Sequence, residues 1–225
     1  KVKTMNGMFC YARRFNQDLS KWNVSKVTDM KDMFHEDNPF NQDLSKWDTS
    51  KVVDMTSTFL SLTAFDQDLS KWNVSNVKYM QSTFVNTLKF NSDLSKWQTS
   101  KVQTFKSMFR NAFAFNTDIS KWDTAKVTSM KDMFWNNPSF NSDITTWNVE
   151  NVIDLTRTFA VTHQFNQDLS SWNVAKATSM DEMFLDAKAF NRKAALDIAW
   201  ENSNPAVYPG TQMFNRSCSS DESCG

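Results

Sequence analysis

Hydrophobic side chains recur along this chain in a pattern that repeats every 25 residues. The apolar positions of one repeat are Phe15, Leu19, Trp22, Val24, Val27, Met30, Met33 and Phe34. The first of these positions returns, without insertion or deletion, as Phe40, Phe65, Phe90, Phe115, Phe140, Phe165 and Phe190. A fixed period of this length is typical of proteins built from stacked repeats.

Within one repeat the apolar spacing changes from a strand-like to a helix-like period. Trp22 and Val24 alternate with a polar residue, which predicts a short strand with one buried face. From Val27 to Phe34 the apolar residues lie three and four apart, which predicts one face of a helix. Ser25 is a good N-cap for that helix. Each repeat is therefore predicted to contain a strand of about five residues and a helix of about two to three turns.

The predicted fold is α/β: a right-handed solenoid of 25-residue strand–helix coils with a parallel sheet on one face. A single repeat buries too few apolar side chains to offset the cost of ordering its backbone, so the repeats must stack. Residues 1–191 are predicted to form seven full repeats after a leading half repeat. A modified last coil, with a helix at 192–200, is predicted to cap the stack over 192–216, and 217–225 is a polar tail. Because the chain starts inside a repeat, we expect further sequence upstream.

The repeat resembles a known surface-protein repeat. Segments such as DLSKWNVSKVTDMKDMF resemble the BspA-like repeat of the mycoplasmal-lipoprotein type, over residues 1 to about 191. Leu19, Trp22, Val24 and Val27 match the leucine-rich-repeat pattern LxxLxLxxN, with valine in place of the final asparagine. The resemblance implies a secreted or surface-anchored scaffold used for adhesion or recognition. It implies no particular ligand.

Charge and composition disfavour several classes of function. The 25 basic and 25 acidic residues balance, with no run of one sign, whereas a nucleic-acid binder normally carries a basic stripe. No apolar run approaches the length of a membrane span. His35 and His163 fall on different repeats, and no catalytic triad or zinc pattern can be assembled. The chain is therefore predicted not to be an enzyme and to need no cofactor.

One aspartate stands at the same position of every full repeat: Asp18, Asp43, Asp68, Asp93, Asp118, Asp143 and Asp168. A ladder of calcium ligands is one interpretation. The other is that each carboxylate accepts hydrogen bonds from turn N–H groups or pairs with a lysine. Calcium requires six or more oxygen ligands, which favours the second interpretation. The asparagines that begin with Asn16 and Asn41 are predicted to form a hydrogen-bonded ladder in the same turn.

The outward positions of the predicted strands form a candidate binding face. Its residues are Lys21, Asn23, Lys46, Asp48, Lys71, Asn73, Lys96, Gln98, Lys121 and Asp123. Solvation alone explains a polar face equally well. Trp135 lies outside the tryptophan column and is a candidate exposed anchor for recognition. The expected partners are a protein or a glycan on a surface, or copies of the same chain.

Two kinds of covalent modification are suggested. Asn23, Asn73 and Asn215 begin Asn-x-Ser sequons and are candidates for glycosylation, although the first two also follow from the repeat consensus. Cys218 and Cys224 lie close enough in sequence for a small disulfide loop, which suits an extracellular tail. Two free thiols are the alternative.

Two functions remain in competition. The first is a non-enzymatic extracellular or cell-surface scaffold that mediates protein binding, adhesion or assembly. The alternative is a structural component of a surface filament or coat formed by association of such stacks. A capped C-terminal end of the stack favours a displayed binding module, whereas an open core at both ends favours polymerisation.

Overall fold

The structure, a computed structural model, describes residues 2–35, 39–203 and 212–214. Its repeats are stacked in register, so that each residue lies beside the residue 25 positions further on. Isolated parallel bridges mark this register: Thr4 to Asp29, Asp29 to Asp54, Asp54 to Tyr79, Tyr79 to Thr104, Thr104 to Ser129, Ser129 to Asp154, and Asp154 to Ser179. Coils 1 to 7 begin at Phe15, Phe40, Phe65, Phe90, Phe115, Phe140 and Phe165.

The predicted α/β solenoid is wrong. In the described residues the helix is α1, Lys193–Ser203, which lies after the repeats. Neighbouring coils share a single isolated bridge and form no sheet. Residues 22–24, predicted as a strand, have no regular secondary structure, and residues 27–34, predicted as a helix, contain turns and one bridge residue.

Turns replace the predicted helix because alternate backbone N–H groups bond to the next coil. The N–H of Met5 donates to the Asp29 carbonyl at 2.8 Å, and that of Gly7 donates to Lys31 at 2.9 Å. Between them, the N–H of Met8 closes a β-turn onto the Met5 carbonyl at 3.1 Å. The pattern recurs from coil to coil. An α-helix would direct each of these groups to the carbonyl four residues back.

Among the described residues, two positions of the coil have a left-handed backbone, which interrupts any helix. The residues with positive φ are Gly7, Asp32, Ser57, Ser82, Ser107, Asp132, Arg157 and Glu182 at the first position, and Tyr11, Ser61, Asn86, Asn111, Asn136, Val161 and Asp186 at the second. Glycine, asparagine and aspartate adopt this conformation most readily. Seven of the fifteen residues are of these three types, which is a partial signal for turns that the apolar spacing obscured.

On the tryptophan side, side chains join the coils. The indole Nε1 of Trp47 donates to the Leu19 carbonyl of the previous coil at 3.0 Å. The Thr49 hydroxyl donates to the Asn73 carbonyl of the next coil at 3.1 Å. The indole bond recurs at Trp72, Trp97, Trp122, Trp147 and Trp172. Among the described residues no backbone bond links the Trp22–Val24 segment to its counterpart in the next coil, so the predicted strands form no sheet.

Aromatic rings stack through the interior along the length of the molecule. The rings of Phe34 and Phe40 are 4.2 Å apart, and Phe34 lies 6.0 Å from Phe59 in the next coil. The rings of Trp47 and Trp72 are 6.2 Å apart and nearly parallel. The expectation that equivalent side chains lie above one another is confirmed. Each fully buried aromatic side chain contributes about 1.5–3 kcal/mol, so these columns are a principal source of stability.

Helix α1 covers the end of the stack at coil 7. Leu196 and Trp200 of α1 are fully buried, and the helix predicted at 192–200 is confirmed. Met213 is also buried, and its carbonyl accepts the Phe184 N–H at 2.8 Å. The rings of Phe184 and Phe214 are 5.5 Å apart. Residues 212–214 therefore occupy the place that the next coil would take.

The first prediction tests the indole bonds. Trp97→Phe is expected to lower the free energy of unfolding by about 1–3 kcal/mol, because it removes the bond to the Leu69 carbonyl and some buried volume. Trp22→Phe is the matched control, since Trp22 is 41% exposed. Urea denaturation of both variants measures the difference. An equal loss in the two variants would contradict the role given to the indole.

The second prediction concerns Val161, a β-branched residue at φ 59°. Asn86, Asn111 and Asn136 occupy its position in other coils, and their amides bond in series at 2.7 and 2.9 Å. Val161→Asn is therefore expected to raise the free energy of unfolding by about 1 kcal/mol, by relieving backbone strain. Val85→Asn, at a half-buried position without positive φ, is the control and should give no gain. Thermal and urea melts that show no difference between the two variants would refute this.

Candidate functional site

The candidate binding face is built by a run of alternating exposed and buried side chains. In coil 4, Lys96 and Gln98 are exposed. Trp97, which lies between them, and Thr99, which follows Gln98, are buried. The same alternation places all ten predicted face residues in solvent: Lys21, Asn23, Lys46, Asp48, Lys71, Asn73, Lys96, Gln98, Lys121 and Asp123. The structure thus gathers them on one surface, although turns and not strands present them. Their role in binding stays a prediction.

Adjacent coils leave two shallow grooves on this face. One, of about 240 Å³, lies between coils 3 and 4 and is lined by Lys71, Asn73, Lys96 and Gln98 among others. The second, of about 320 Å³, lies between coils 4 and 5, and Lys96, Gln98 and Asp123 are among its lining residues. Because both grooves include Lys96 and Gln98, they adjoin one another. An extended partner could therefore contact three successive coils.

Local turns hold the side chains of this face in place. The Asn73 Oδ1 accepts the Ser75 N–H at 3.0 Å and the Ser75 hydroxyl at 2.7 Å. The Asp123 Oδ1 accepts the Ala125 N–H at 3.0 Å. These bonds restrict the side chains before any partner binds. They leave the Asn73 amide NH₂ as a donor and the second Asp123 oxygen as an acceptor.

The aspartate column beside the face caps turns. The Asp18 Oδ1 accepts the Ser20 N–H at 2.7 Å, and Asp68 accepts that of Ser70 at 2.8 Å. The same bond is made by Asp43, Asp93, Asp118, Asp143 and Asp168. The capping interpretation is confirmed. Within the described ranges no group of three or more His, Cys, Asp or Glu side chains is placed to hold a metal ion.

Hydrogen bonds hold the pKa of each of these aspartates below its usual value. For Asp68 the largest cause is the bond with the Ser70 side chain, followed by the bond with the Ser70 backbone. For Asp18 the backbone bond comes first and the side-chain bond second. Burial acts in the opposite direction in both cases. The column is ionised at neutral pH, as exposed carboxylates are, and its turns keep it ionised to a lower pH.

The predicted asparagine ladder is also present. The Asn41 N–H donates to the Asn16 Oδ1 at 2.9 Å, and the Asp66 N–H donates to Asn41 at 3.0 Å. Further rungs join Asn116 to Asn91, Asn141 to Asn116, Asn166 to Asn141, and Asn191 to Asn166. Each rung ties one coil to the next beside the aspartate column. The ladder thus helps to fix the spacing of the face.

Trp135 has internal partners that the sequence analysis missed. Its ring lies 3.9 Å from the Arg110 guanidinium carbon and 4.7 Å from that of Arg157. The Arg157 Nε also donates to the buried Asp132 carboxylate at 2.7 Å. Trp135 is half-buried in this cluster. Arg110 precedes Trp135 by one repeat, so the fixed period could have predicted the contact between Arg110 and Trp135. The role of Trp135 in recognition stays a prediction.

The modification candidates are divided between described and undescribed parts of the chain. Asn23 and Asn73 are exposed, and each has its side-chain oxygen bonded within the sequon turn. Asn215, Cys218 and Cys224 lie outside the described residues. Their glycosylation and disulfide formation stay predictions.

Comparison with known proteins identifies a family. A family model described as "Mycoplasma protein of unknown function, DUF285" matches residues 1–84, 46–126 and 113–224. The three matches overlap or nearly abut, as a repetitive chain leads one to expect, and together they cover residues 1–224. No curated protein and no solved structure matches the chain.

The part of the chain that the structure describes contains no helix long and apolar enough to cross a bilayer.

The third prediction concerns acid stability. A carboxylate with a lowered pKa stabilises the fold above its unfolded pKa of about 3.9 and loses that contribution as the pH falls through its folded pKa. The urea midpoint is therefore expected to be constant above about pH 5 and to fall below about pH 4. Asp68→Ala, which removes one cap, should be less stable than the natural chain at pH 7.

The measurement is the difference in urea midpoint between the natural chain and Asp68→Ala, taken at pH 7 and at pH 2. That difference should shrink as the pH falls toward 2, because protonation of the Asp68 carboxylate in the natural chain weakens the charged cap that Asp68→Ala lacks. Asp68→Asn serves as the control, since the amide oxygen can still cap the turn, as Asn73 does. A difference that stays constant across this range would rule out the proposed ionised caps.

Proposed function

We propose that this chain, which belongs to the DUF285 family of Mycoplasma proteins of unknown function, is a non-enzymatic scaffold that binds a partner along its lysine-bearing face. The observation that carries the proposal is the pair of adjoining grooves that share Lys96 and Gln98. We also propose that the chain acts outside the cell or on its surface. The resemblance of its repeat to surface-protein repeats supports this location.

The rigidity of the face supports a binding role. Backbone bonds and an indole bond tie each coil to the next, and asparagine rungs add to them at most junctions. Binding to such a prearranged surface costs little conformational entropy, so weak polar contacts on successive coils can add up. The partner is expected to be a protein or a glycan, or another copy of the chain.

The placement of the histidines supports a role without catalysis. The His163 Nε2 lies 3.2 Å from an Asp186 oxygen, and the His35 Nδ1 lies 3.5 Å from an Asp32 oxygen. Neither histidine lines the grooves. The groove side chains are lysines, amides, hydroxyls, apolar groups and a carboxylate, which suit hydrogen bonding and charge pairing.

The alternative function, a filament or coat, depends on how stacks associate. End-to-end stacking would need an open apolar end, whereas Leu196, Trp200 and Met213 are buried where α1 and residues 212–214 cover coil 7. This favours the displayed scaffold. Size-exclusion chromatography at two concentrations distinguishes the alternatives, because a filament component should elute earlier at the higher concentration.

The fourth prediction tests the face itself. A glycan array and a panel of purified extracellular proteins are screened with the natural chain, and each hit is titrated with variants. Lys96→Ala together with Gln98→Ala should weaken binding at least tenfold, about 1.4 kcal/mol, because both grooves lose contacts. Lys106→Ala with Gln103→Ala, two exposed residues that do not line the two grooves, is the control. Equal loss in both variants, or no hit in either screen, would overturn the proposal.

A further inference from the structure

We propose that the partner is a linear acidic polysaccharide, with about one carboxylate per sugar, lying along coils 1 to 5. The inference rests on the proposed function and names the chemical class of the ligand. It follows from two parallel rows of lysines, from the residues that border them, and from the coil at which the first row stops.

Two rows of lysines run along the candidate face. The first row is Lys21, Lys46, Lys71, Lys96 and Lys121, and the second is Lys26, Lys51, Lys101, Lys126 and Lys176, with asparagine at coils 3 and 6. All ten are exposed. In the described part of the chain none of them forms a salt bridge. Their ammonium groups are therefore exposed to an anionic partner, although those of the first row also attract the aspartates of the capping column, as Lys71 attracts Asp68.

Two lysines of the second row, Lys26 and Lys51, lie side by side. Lys101 and Lys176 each donate to an asparagine of the previous coil at 2.6 Å, Asn76 and Asn151 respectively. Lys51 instead has Lys26 as its neighbour in the previous coil, and the pKa of Lys51 is lowered by the hydrogen bond and charge of that lysine. Two ammonium groups side by side repel one another. An anion placed between them would relieve the repulsion.

The spacing of the rows suits a polymer with one charge per unit. Beside the lysines, the rings of Trp97 and Trp122 are 6.2 Å apart, which gives the separation of neighbouring coils on this side. One sugar unit of an extended polysaccharide has a comparable length. A carboxylate on each sugar would therefore meet a lysine on each coil.

Carboxylates border and interrupt the lysine rows, which limits the width and charge of the partner. The aspartates of the capping column, such as Asp68 and Asp93, flank the first row and are ionised at neutral pH. Asp48 and Asp123 lie between the two rows. They would repel a wide or densely charged polyanion such as duplex nucleic acid. A single chain with sparse charge and many hydroxyl groups suits this surface.

The first lysine row ends before the stack does. Thr146 and Ser171 replace lysine in that row at coils 6 and 7. The second row is less regular, with Asn76 at coil 3, Asn151 at coil 6 and lysine again at coil 7. The ligand is thus expected to contact coils 1 to 5. Affinity should rise with chain length until the polymer spans these five coils, then level off.

The experiment is isothermal titration of the natural chain with oligogalacturonates of two to eight sugars. Neutral dextran oligomers, polyglutamate and single-stranded DNA of matched length are the comparison probes. Lys71→Gln, Lys96→Gln and Lys121→Gln are combined in one variant. Lys78→Gln, Lys89→Gln and Lys106→Gln are combined in the control, which has the same net charge and three exposed lysines outside the rows.

We expect oligogalacturonate to bind with an affinity that falls as salt rises, because exposed charges are screened. The first variant should lose at least tenfold in affinity and the control less than twofold. Urea midpoints equal to that of the natural chain show that both variants are folded. Equal losses in the two variants, or no binding of oligogalacturonate, would overturn the inference.

The remaining outcomes separate this inference from the proposed function. Tighter binding of dextran, polyglutamate or DNA would show that the ligand class is wrong. If that binding is abolished by Lys96→Ala with Gln98→Ala, the face is still the binding site and the proposed function stands. If a ligand found in the earlier screens binds the variant Lys96→Ala with Gln98→Ala as tightly as it binds the natural chain, the proposed function itself fails.

Discussion

Alternate backbone N–H groups that donate to the next coil are the interaction on which the structure depends. In coil 1 the N–H groups of Met30, Asp32 and Phe34 donate to the carbonyls of coil 2 at 2.9, 2.9 and 3.1 Å. A shift of one residue between coils would break these bonds and displace the aromatic columns at the same time. The register of 25 residues is therefore enforced by hydrogen bonding and packing together. This explains why the repeats keep their length without insertion or deletion.

The opposite side of each coil is held by side chains, and this is the side that presents the candidate face. The indole of Trp97 reaches the Leu69 carbonyl from inside, while Asp93 caps the turn at Ser95 from outside. Lys96 stands between these two fixed points. The capping aspartate and the tryptophan recur from coil to coil, whereas the exposed position of Lys96 varies and is occupied by Thr146 and Ser171 in coils 6 and 7. The scaffold and its surface chemistry are thus specified by different residues.

The sequence predicts the stack well and the backbone within it poorly. Phe34, Phe59 and Trp47 are buried where the repeat places them, and Asp68 and Asn41 make the predicted turn and ladder bonds. The helix was mispredicted because apolar residues three and four apart suit a run of turns as well as a helix. The left-handed backbone at two positions of the coil, those of Asp32 and Asn86, distinguishes the turns from a helix. Likewise, the cluster around Trp135 depends on Arg157, which no repeat consensus indicates.

A repetitive face has a consequence for the kind of partner it can hold. Because each coil offers nearly the same contacts, a compact ligand on one coil would find an equivalent place on its neighbours and would bind none of them uniquely. A partner that itself repeats can use several coils at once, and each weak contact after the first is made within the complex, at high effective concentration. The change from Lys121 to Thr146 breaks this equivalence and defines one end of the surface. The arrangement therefore favours a polymer over a small molecule.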